Sequence, residues 1–470
     1  MENKIIVASA TPAGKGGVAV IRISGQGSLN CALSVFASSK TDDASKLEPN
    51  VMYFGNIVAD GVRDEGYLVF FKAPKSFTGE DAAELQCHGG RGIVAAIISA
   101  LCKNGAYPAE RGEFTKRAFL NGRLSLSDAE GVADMINAES RAALKAAYRM
   151  MSGELSKEIH LMQSELVKII AALEARLDYP DEVGAALDGG DGGYAAALKA
   201  VCGRMQALLA AAPGGAVIKR GVNAALVGSP NTGKSSLLNR FLKKDRAIVA
   251  DLPGTTRDTL EESLEFDGTA INLTDTAGLR SDACGVEQKG IERSYIAAGG
   301  ADAVVYVIDS AAFQSDAAAC AEAFFEFLAA ADGETPVIIA LNKNDLQDGE
   351  TRKKSLALAR KLFGGKAEKI FSVSAHTGDG ADALLGHIAA KLRDRADSDA
   401  ALMTNRRHEA ALRAALADAS EALDGMSKGA DAECVLVDLR GAWSRLGQIT
   451  GQTAAEDIVD EIFSGFCLGK

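Results

Sequence analysis

The positions of apolar and polar residues divide the chain into strand-like and helix-like regions. In residues 1–121, short apolar runs bounded by Gly, Pro and Asp predict strands at residues 18–24, 51–58, 66–71 and 84–90. The last run breaks into Gly89-Gly90 before an apolar stretch near residues 92–103, which predicts a helix. This first region therefore reads as a separate α+β unit.

From residue 122 the apolar residues recur at helical spacing. Ser127-Asp-Ala-Glu130 fits a capping box, and the helical pattern continues to about Leu177, before Asp178-Tyr-Pro-Asp-Glu182 ends it. Residues 188–193 predict a flexible loop, residues 195–211 a further helix, and Pro213-Gly-Gly215 the junction with the next region. Beyond residue 393 we expect helices over residues 405–423 and 434–446, and a last helix after the capping box Thr453-Ala-Ala-Glu456.

The central region carries a glycine-rich loop between a predicted strand and a predicted helix. Gly228, Gly233, Lys234 and Ser235 fit the pattern G-x-x-x-x-G-K-[ST], after the apolar run 222–227. In such loops backbone N–H groups face the phosphates at a helix N-terminus, Lys234 neutralises the β and γ oxygens, and the Ser235 hydroxyl can bind Mg²⁺. The motif predicts a nucleoside triphosphate site.

Three further motifs follow strand-like runs in the order of a GTP-binding domain. Asp275-Thr-Ala-Gly278 offers a carboxylate to the Mg²⁺ shell and a backbone N–H to the γ-phosphate. Asn342-Lys-Asn-Asp345 ends in a carboxylate that can accept hydrogen bonds from guanine N1–H and N2–H₂, which adenine cannot offer. Ser374-Ala375 supplies a backbone N–H for guanine O6. The four motifs together predict that the chain binds GTP.

These patterns predict a multidomain α/β protein with four segments. Residues 1–121 form an N-terminal α+β domain, and residues 122–216 form the first half of a helical domain. Residues 217–393 form a Ras-like P-loop G domain with a mostly parallel sheet, and residues 394–470 form the second half of the helical domain. A G domain inserted in a helical domain couples nucleotide state to helix packing.

Composition and charge narrow the class of protein. A hydrophobic content of 47% with 24% charged residues is typical of a folded, soluble protein. No apolar run approaches the length of a membrane span and no leader segment is evident, so we expect a cytoplasmic protein without a membrane partner. The eight cysteines are scattered without a C-x-x-C pair, which suits a reducing compartment and argues against a zinc site.

The net charge of −12 argues against binding nucleic acid over the whole surface, so any RNA contact needs a local basic patch. The candidates are Arg406-Arg407-His408, and Arg352-Lys353-Lys354 together with Arg360-Lys361. The alternative, a solvated helix face, is the commoner explanation for each. For Arg22 and Glu84 the sequence also allows two interpretations. Each side chain either lines a small-molecule pocket or is a charge that faces outward from a strand.

The catalytic group of the G domain is not the usual one. Ras-like hydrolases orient the attacking water with a Gln after the D-x-x-G motif, and this chain has Leu279 there. Asn231 and the loop 250–258, which is rich in hydroxyls and backbone carbonyls, can together cage a monovalent cation that replaces an arginine finger. A general base can come from the acidic segment after the D-x-x-G motif. The alternative for Asn231 is an ordinary loop hydrogen bond.

Several longer motifs resemble the family of the tRNA modification GTPase MnmE (TrmE), over essentially the full chain. The resemblance rests on residues 8–12, 16–25, 76–81, 84–90, 112–121, 254–258 and 290–293, and on the terminal Phe466-Cys-Leu-Gly-Lys470. It departs from the family at Ala250, where Thr is common, at Pro253 for Ala, and at Arg123 for Lys. The conservative Leu468 is a fourth difference.

The resemblance implies a set of site residues. Lys234, Glu287 and Cys467 would be catalytic, with Glu287 placing the attacking water across a G-domain dimer. Mg²⁺ would bind Ser235 and Thr256; K⁺ would bind Asn231, Ala250, Leu252 and Thr255; a tetrahydrofolate derivative would contact Arg22, Glu84, Arg123 and Lys470. The nucleotide would contact Asn231, Thr232, Gly233, Lys234, Ser235, Ser236, Ala250, Asp251, Leu252, Pro253, Gly254, Thr255, Thr256, Asp275, Thr276, Ala277, Gly278, Asn342, Lys343, Asp345, Ser374 and Ala375.

The resemblance also implies partners and an activity. The chain would be a potassium-stimulated homodimeric GTPase that binds a 5,10-methylene or 5-formyl tetrahydrofolate. In a heterotetramer with the flavoprotein MnmG (GidA), it would add an aminomethyl-type group, such as carboxymethylaminomethyl, to C5 of the wobble uridine of certain tRNAs. The alternative is a GTP-dependent ribosome-assembly switch without covalent chemistry. Such switches usually carry an RNA-binding module such as a KH domain, and no KH-like G-x-x-G arrangement is evident after residue 393.

Overall fold

The structure, a computed structural model, describes residues 4–40, 46–178, 190–244, 261–275, 301–331, 335–395 and 402–469. The chain divides into two compact units. The first comprises Met1–Ile136, Tyr148–Met205 and Ala410–Lys470, and the second comprises Asn137–Ala147 and Gln206–Glu409. Each unit therefore combines segments that are distant in the sequence. The boundaries at residues 121, 216 and 393 stay predictions.

The described residues form strands and helices with the following bounds. The strands are β1 Ile5–Ser9, β2 Gly16–Ser24, β3 Phe36–Ser38, β4 Met52–Ala59, β5 Val62–Phe71, β6 Ala82–Gly89, β7 Ala106–Pro108, β8 Val222–Val227, β9 Glu261–Phe266, β10 Thr269–Asp275, β11 Ala303–Asp309, β12 Val337–Asn342 and β13 Lys369–Ser372. The helices are α1 Ser28–Leu33, α2 Arg91–Lys103, α3 Glu113–Leu120, α4 Leu126–Asn137, α5 Arg141–Met151, α6 Glu154–Asp178, α7 Gly190–Arg220, α8 Lys234–Lys244, α9 Ser310–Ser315, α10 Ala317–Ala330, α11 Gly349–Phe363, α12 Ala381–Arg395, α13 Arg406–Lys428, α14 Ala432–Thr450 and α15 Glu456–Ser464.

The first unit contains a seven-stranded sheet with the order β3-β4-β5-β6-β2-β1-β7. Its strands alternate between a buried and an exposed face, most regularly in β4. Helices α1 and α2 bury one face, where Ile21, Leu85, Ile97 and Leu101 share a core. The other face exposes large apolar side chains on β4 and β5, including Phe54 and Tyr67, whose rings pack at 5.4 Å.

The helices that follow residue 122 differ in detail from the predicted ones. The stretch predicted to be helical to about Leu177 is three helices, α4, α5 and α6, because the chain turns near residues 138–140 and at Gly153, which has a φ of 81°. Helix α6 packs against α14 through apolar residues three and four positions apart, such as Ile159, Met162 and Leu166.

Both predicted capping boxes are wrong. The box of α4 is Ser125 with Asp128: the Ser125 Oγ accepts from the Asp128 N–H at 3.1 Å, and the Asp128 carboxylate accepts from the Ser125 N–H at 2.9 Å. Ser127 is instead a buried residue of α4. At α15 the N-cap is Ala455, and the Thr453 hydroxyl donates to the Ser444 carbonyl at 2.5 Å.

Helix α7 is longer than predicted at both ends. It begins at Gly190, inside the stretch predicted to be a loop, and continues through Pro213 to Arg220. The prediction that Pro213-Gly-Gly215 ends the helix is therefore wrong. A Cβ on Gly215 would lie 1.9 Å from the Met403 carbonyl oxygen, so close packing accounts for this glycine better than a chain turn does. Within the described residues, one helical segment, Gly193–Arg220, is long and apolar enough to cross a membrane by length and composition; core helices of soluble proteins pass the same test.

The second unit is built on a six-stranded sheet with the order β13-β12-β11-β8-β10-β9. All neighbours are parallel except β9 and β10. The central strands are buried on both sides, as their continuous apolar runs indicate. One core lies against α8 and α12, around Phe241 and Ile388, and the other lies against α9, α10 and α11, around Phe324. The fold class is therefore the predicted multidomain α/β.

Candidate nucleotide site and N-terminal site

The glycine-rich loop joins β8 to α8 at the carboxyl edge of the parallel sheet. Gly228 has a φ of 143°, and a Cβ there would lie 2.3 Å from the Val307 carbonyl oxygen. Gly233 has a φ of 91°, and a Cβ there would lie 2.4 Å from Nδ2 of Asn342. Both fixed glycines of the motif are thus required by backbone conformation and by close packing.

Lys234 is held inside this loop. Its side chain is buried, and its Nζ donates to the Gly228 carbonyl at 2.8 Å and to the Ser229 carbonyl at 2.9 Å. The ammonium group therefore lies where the loop would surround phosphate oxygens, at the N-terminus of α8. Charge and backbone geometry both fit a nucleotide triphosphate tail.

Asn342 links the phosphate loop to the end of the site that would hold the base. Its Nδ2 donates to the Thr232 carbonyl at 2.9 Å, and its Oδ1 accepts from the Ala375 N–H at 3.0 Å. Asn342 is fully buried, so the two hydrogen bonds fix the spacing of three loops. Asn342 is one of the predicted nucleotide contacts, and in the structure it braces the loops that would make the other contacts.

Lys343 connects the same loops by charge. Its Nζ donates to the Asn231 carbonyl at 2.9 Å and to the Asp309 carboxylate at 2.7 Å. Burial raises the pKa of Asp309, but hydrogen bonds from Lys343 and from the Ala311 N–H outweigh it, so the pKa of this carboxyl lies below its ordinary value. Asp309 was missed from the sequence, although it ends β11 as the other motifs follow their strands.

The Ser374 hydroxyl holds Asp345 in place by donating to its carboxylate at 2.5 Å. Beside it lies a cavity of about 550 Å³. The cavity is lined by Gly233, Ser236, Asn239, Arg240, Asn342, Lys343, Asp345, Leu346, Ala375 and His376. The Asp345 carboxylate at one end of a cavity that begins at the phosphate loop fits a guanine nucleotide, whereas the Ala375 N–H, which was expected to bind guanine O6, is donated to Asn342.

The remaining parts of the predicted GTP site lie outside the described residues. These are Ala250, Asp251, Leu252, Pro253, Gly254, Thr255, Thr256, Thr276, Ala277, Gly278 and Glu287, together with the side chain of Asp275. Of the predicted cation ligands, Ser235 and Asn231 are described. Asn231 is exposed in a left-handed conformation with a φ of 61°. Within the described ranges no group of three His, Cys, Asp or Glu side chains could hold a metal ion.

The first unit brings together the predicted folate contacts that are described. Arg22 and Glu84 lie directly opposite on β2 and β6, with Nε and Oε1 2.8 Å apart. The Arg22 guanidinium lies 5.5 Å from the Phe77 ring centroid, and both charged side chains are about four-fifths buried. Both side chains lie on the face of the sheet opposite the core residues Ile21 and Leu85, so their contact with a small molecule stays a prediction. Arg123 reaches the same loop at Gly79, whereas Lys470 lies outside the described residues.

A buried arginine beside this pair was missed from the sequence. Arg117 of α3 donates to the Lys4 carbonyl at 2.9 Å and pairs with Glu80 and Glu113. Glu80 also accepts from the Ser24 hydroxyl at 2.8 Å, so one network supports the loop that carries Phe77. The motif at residues 112–121 contains Arg117, but only the fold shows that its charge is internal.

The C-terminal tail is seated against β1 and the start of α3. The Gly112 N–H donates to the Cys467 carbonyl at 3.4 Å, and a Cβ on Gly469 would lie 2.2 Å from the Ser9 carbonyl oxygen. Cys467 itself is exposed and follows the end of α15, so the alternative of a buried residue in the last helix is wrong. In contrast, burial raises the pKa of the Cys87 thiol to about 11, with the charge of Asp64 adding to the effect.

The doubly wound sheet, the Lys234 loop and the Asp345 end of the cavity define a P-loop GTP-binding protein. A family model described as the MnmE helical domain matches residues 126–467, and one described as the GTP-binding protein TrmE N-terminus matches residues 5–123. The chain belongs to the MnmE family, and it is a GTP hydrolase.

Two relatives of the same family align with this chain from end to end. Proteins named tRNA modification GTPase MnmE from Moorella thermoacetica and Carboxydothermus hydrogenoformans are 38% and 36% identical to this chain. Each alignment covers 100% of both proteins. Among solved structures, the G domain of the T. maritima FeoB iron transporter is 28% identical and covers 37% of this chain and 98% of that chain, with a TM-score of 0.25.

Proposed function

We propose that this GTPase acts with the flavoprotein MnmG to add an aminomethyl-type group, such as carboxymethylaminomethyl, to C5 of the wobble uridine of certain tRNAs, in the cytoplasm. The observation that carries the proposal is that one unit holds both the Arg22–Glu84 pair and the seated tail with its exposed Cys467. A ribosome-assembly switch needs neither. GTP hydrolysis in the second unit would control this chemistry.

The first unit suits a ligand with an aromatic body and charged groups. Arg22 and Glu84 offer a donor and an acceptor side by side, and the Phe77 and Phe114 rings flank the guanidinium at 5.5 and 5.8 Å. A tetrahydrofolate derivative has a pterin that can exchange hydrogen bonds and stack on such rings. We propose that Arg22, Glu84, Arg123 and Lys470 bind it, and that Cys467 takes a catalytic part in the modification.

In the second unit the residues of the chain would bind and orient GTP. Lys234 and the loop N–H groups would hold the phosphates, and the Asp345 carboxylate would select guanine by accepting from N1–H and N2–H₂. Bound Mg²⁺ and K⁺ would supply positive charge against the negative charge that develops on the phosphates. Ser235 and Thr256 would hold the first ion, and Asn231, Ala250, Leu252 and Thr255 the second. Glu287 would orient the attacking water.

The exposed apolar face of β4 and β5 supports a homodimer. Met52, Phe54, Val58 and Tyr67 are 51%, 44%, 49% and 42% exposed, and they lie on adjacent strands of one sheet face. Contiguous large apolar side chains on the surface usually mark an interaction site. We propose that a second copy of the chain covers this face.

The proposal is tested by exchanging one exposed cysteine at a time. We expect Cys467→Ser to abolish wobble-uridine modification, measured by mass spectrometry of tRNA nucleosides with the flavoprotein present. GTP turnover should stay within about twofold of the wild type, because the tail lies in the other unit. The matched control is Cys434→Ser, which removes the other exposed thiol of the described residues and should leave both activities intact.

The K⁺ proposal is tested by the GTP turnover of the wild type and of Asn231→Ala. Turnover should be high in KCl and low in matched NaCl, and Asn231→Ala should remove the difference. Equal rates in both salts would contradict the potassium proposal alone. Normal modification by Cys467→Ser would instead remove the tail from the chemistry, and the absence of modification by the wild type would refute the proposed function.

A further inference from the structure

Helix α11 presents a compact group of cations to solvent. Lys353 and Arg360 are seven residues apart, as are Lys354 and Lys361, so all four lie on one side of the helix, around the exposed Ala357. The opposite side is buried in the second unit through Ser355, Ala359 and Phe363. Lys366 and Lys369 continue the charge to the edge strand β13. We call these six residues the α11 basic face.

The charge of this face is poorly balanced by local acids. Residues 350–369 contain seven Lys and Arg but only two acids, in a chain whose net charge is −12. Glu350 pairs with Lys354 at 2.8 Å, and Glu368 with His387 at 3.2 Å. Four other cations of this face, Lys353, Arg360, Lys361 and Lys366, have no carboxylate oxygen of the described residues within 4 Å of their charged nitrogens.

Helix stability accounts for only part of this charge. Arg360 and Lys361 lie in the last turn, where cations interact favourably with the helix dipole. Lys353 lies toward the N-terminal half, where the dipole gives a cation no benefit, and Lys366 lies beyond the helix. Arg352 differs from its neighbours, because it is tied to Asp379 at 3.0 Å and braces Asn344.

The structure also separates the two basic clusters found in the sequence. In Arg406-Arg407-His408, His408 is fully buried and its Nε2 lies 2.9 Å from an Arg407 guanidinium nitrogen. His408 therefore cannot contribute to a surface that binds RNA. The cations of the α11 basic face are exposed, and Ala357 and Leu358 lie between its two pairs of helical cations.

We propose that the α11 basic face binds the phosphate backbone of the tRNA substrate. The inference rests on the proposed function for the identity of the RNA. The four cations on α11 have no aromatic side chain between them, whereas Lys369 lies over the Phe371 ring at 5.5 Å. Closely spaced cations on a helix suit phosphates rather than bases, so the contact would position the tRNA without reading its sequence. Such a local patch also explains how an acidic protein can bind a polyanion.

The test is tRNA binding by the full chain over a series of salt concentrations. The probe is an unmodified tRNA transcript with uridine at the wobble position, followed by fluorescence anisotropy. We expect the combined Lys353→Gln, Arg360→Gln and Lys361→Gln variant to bind at least about tenfold more weakly near 0.1 M salt. The slope of log Kobs against log salt should become less steep by about 2 to 3, one for each phosphate contact removed.

The matched control removes three exposed lysines from the first unit, by Lys157→Gln, Lys168→Gln and Lys199→Gln. It changes net charge equally and should leave affinity and slope unchanged, and both variants should hydrolyse GTP normally. An unchanged slope in the α11 variant would overturn the inference, as would loss of flavoprotein binding with intact tRNA binding. If the wild type modifies tRNA with its partner but does not bind it alone, the inference fails and the proposed function stands. If it does neither, both fail.

Discussion

In the nucleotide site, the placement of single atoms decides whether the loops can assemble. Gly233 lies with its α-carbon against the amide of Asn342, and that amide in turn holds the Thr232 carbonyl and the Ala375 N–H. One missing side chain therefore permits the hydrogen bonds that join the phosphate end of the site to the base end. The motif pattern requires a glycine there, but the contact with Asn342 is visible only in the fold.

Replacing this glycine tests the arrangement. Gly233→Ala should weaken GTP binding at least about tenfold, because a left-handed alanine costs about 1 to 2 kcal/mol and its Cβ would displace Asn342. Affinity for a fluorescent GTP analogue measures the effect. Gly349→Ala is the control, since no atom lies within 4 Å of a Cβ there, and it should bind normally. Normal affinity in Gly233→Ala would show that the loop adapts.

Among the helices, α4 shows that capping depends on where the first turn lies. Ser125 and Ser127 both precede an acid by three residues, and only the first pair caps the helix, because Ser127 is turned into the core. Local sequence cannot choose between two overlapping boxes. Packing of Leu126 and Ala129 against Phe463 and Phe466 makes the choice.

Ser125→Ala should therefore destabilise the start of α4 by about 1 kcal/mol, the usual cost of losing a helix cap. Amide hydrogen exchange in the first turn should accelerate about fivefold, with little change in α6. Ser164→Ala serves as the control, because this exposed hydroxyl only donates back to the Leu161 carbonyl and its loss should cost less than about 0.5 kcal/mol. Equal exchange in both variants would contradict the assigned cap.

Across the whole molecule, apolar surface is distributed unevenly. The sheet of the second unit is covered on both faces, whereas the sheet of the first unit leaves the β4–β5 side open. A sheet face with Phe54 against Tyr67 in water loses the stabilisation that burial would give it. The proposed homodimer supplies that burial.

Phe54→Asp should dissociate the homodimer, because a buried unpaired carboxylate costs several kcal/mol. Sedimentation velocity measures the change, and affinity for GTP should be unaffected since Phe54 lies in the other unit. Val437→Asp is the matched control: Val437 is 68% exposed on α14, away from the β4–β5 face in sequence and fold, and the dimer should persist. A dimeric Phe54→Asp protein would place the interface elsewhere.

The sequence by itself determined the elements whose signal is local. Continuous apolar runs identified β8 and β12, and the loop pattern placed Lys234 and Asp345 at the same edge of the sheet, because parallel strands end together. The tertiary structure alone decided what depends on distant contacts. These include the pairing of Arg22 with Glu84, the internal charge of Arg117, the passage of α7 through Pro213 and the exposure of Cys467. In each case packing against residues far along the chain outweighs a local preference that sequence patterns can measure.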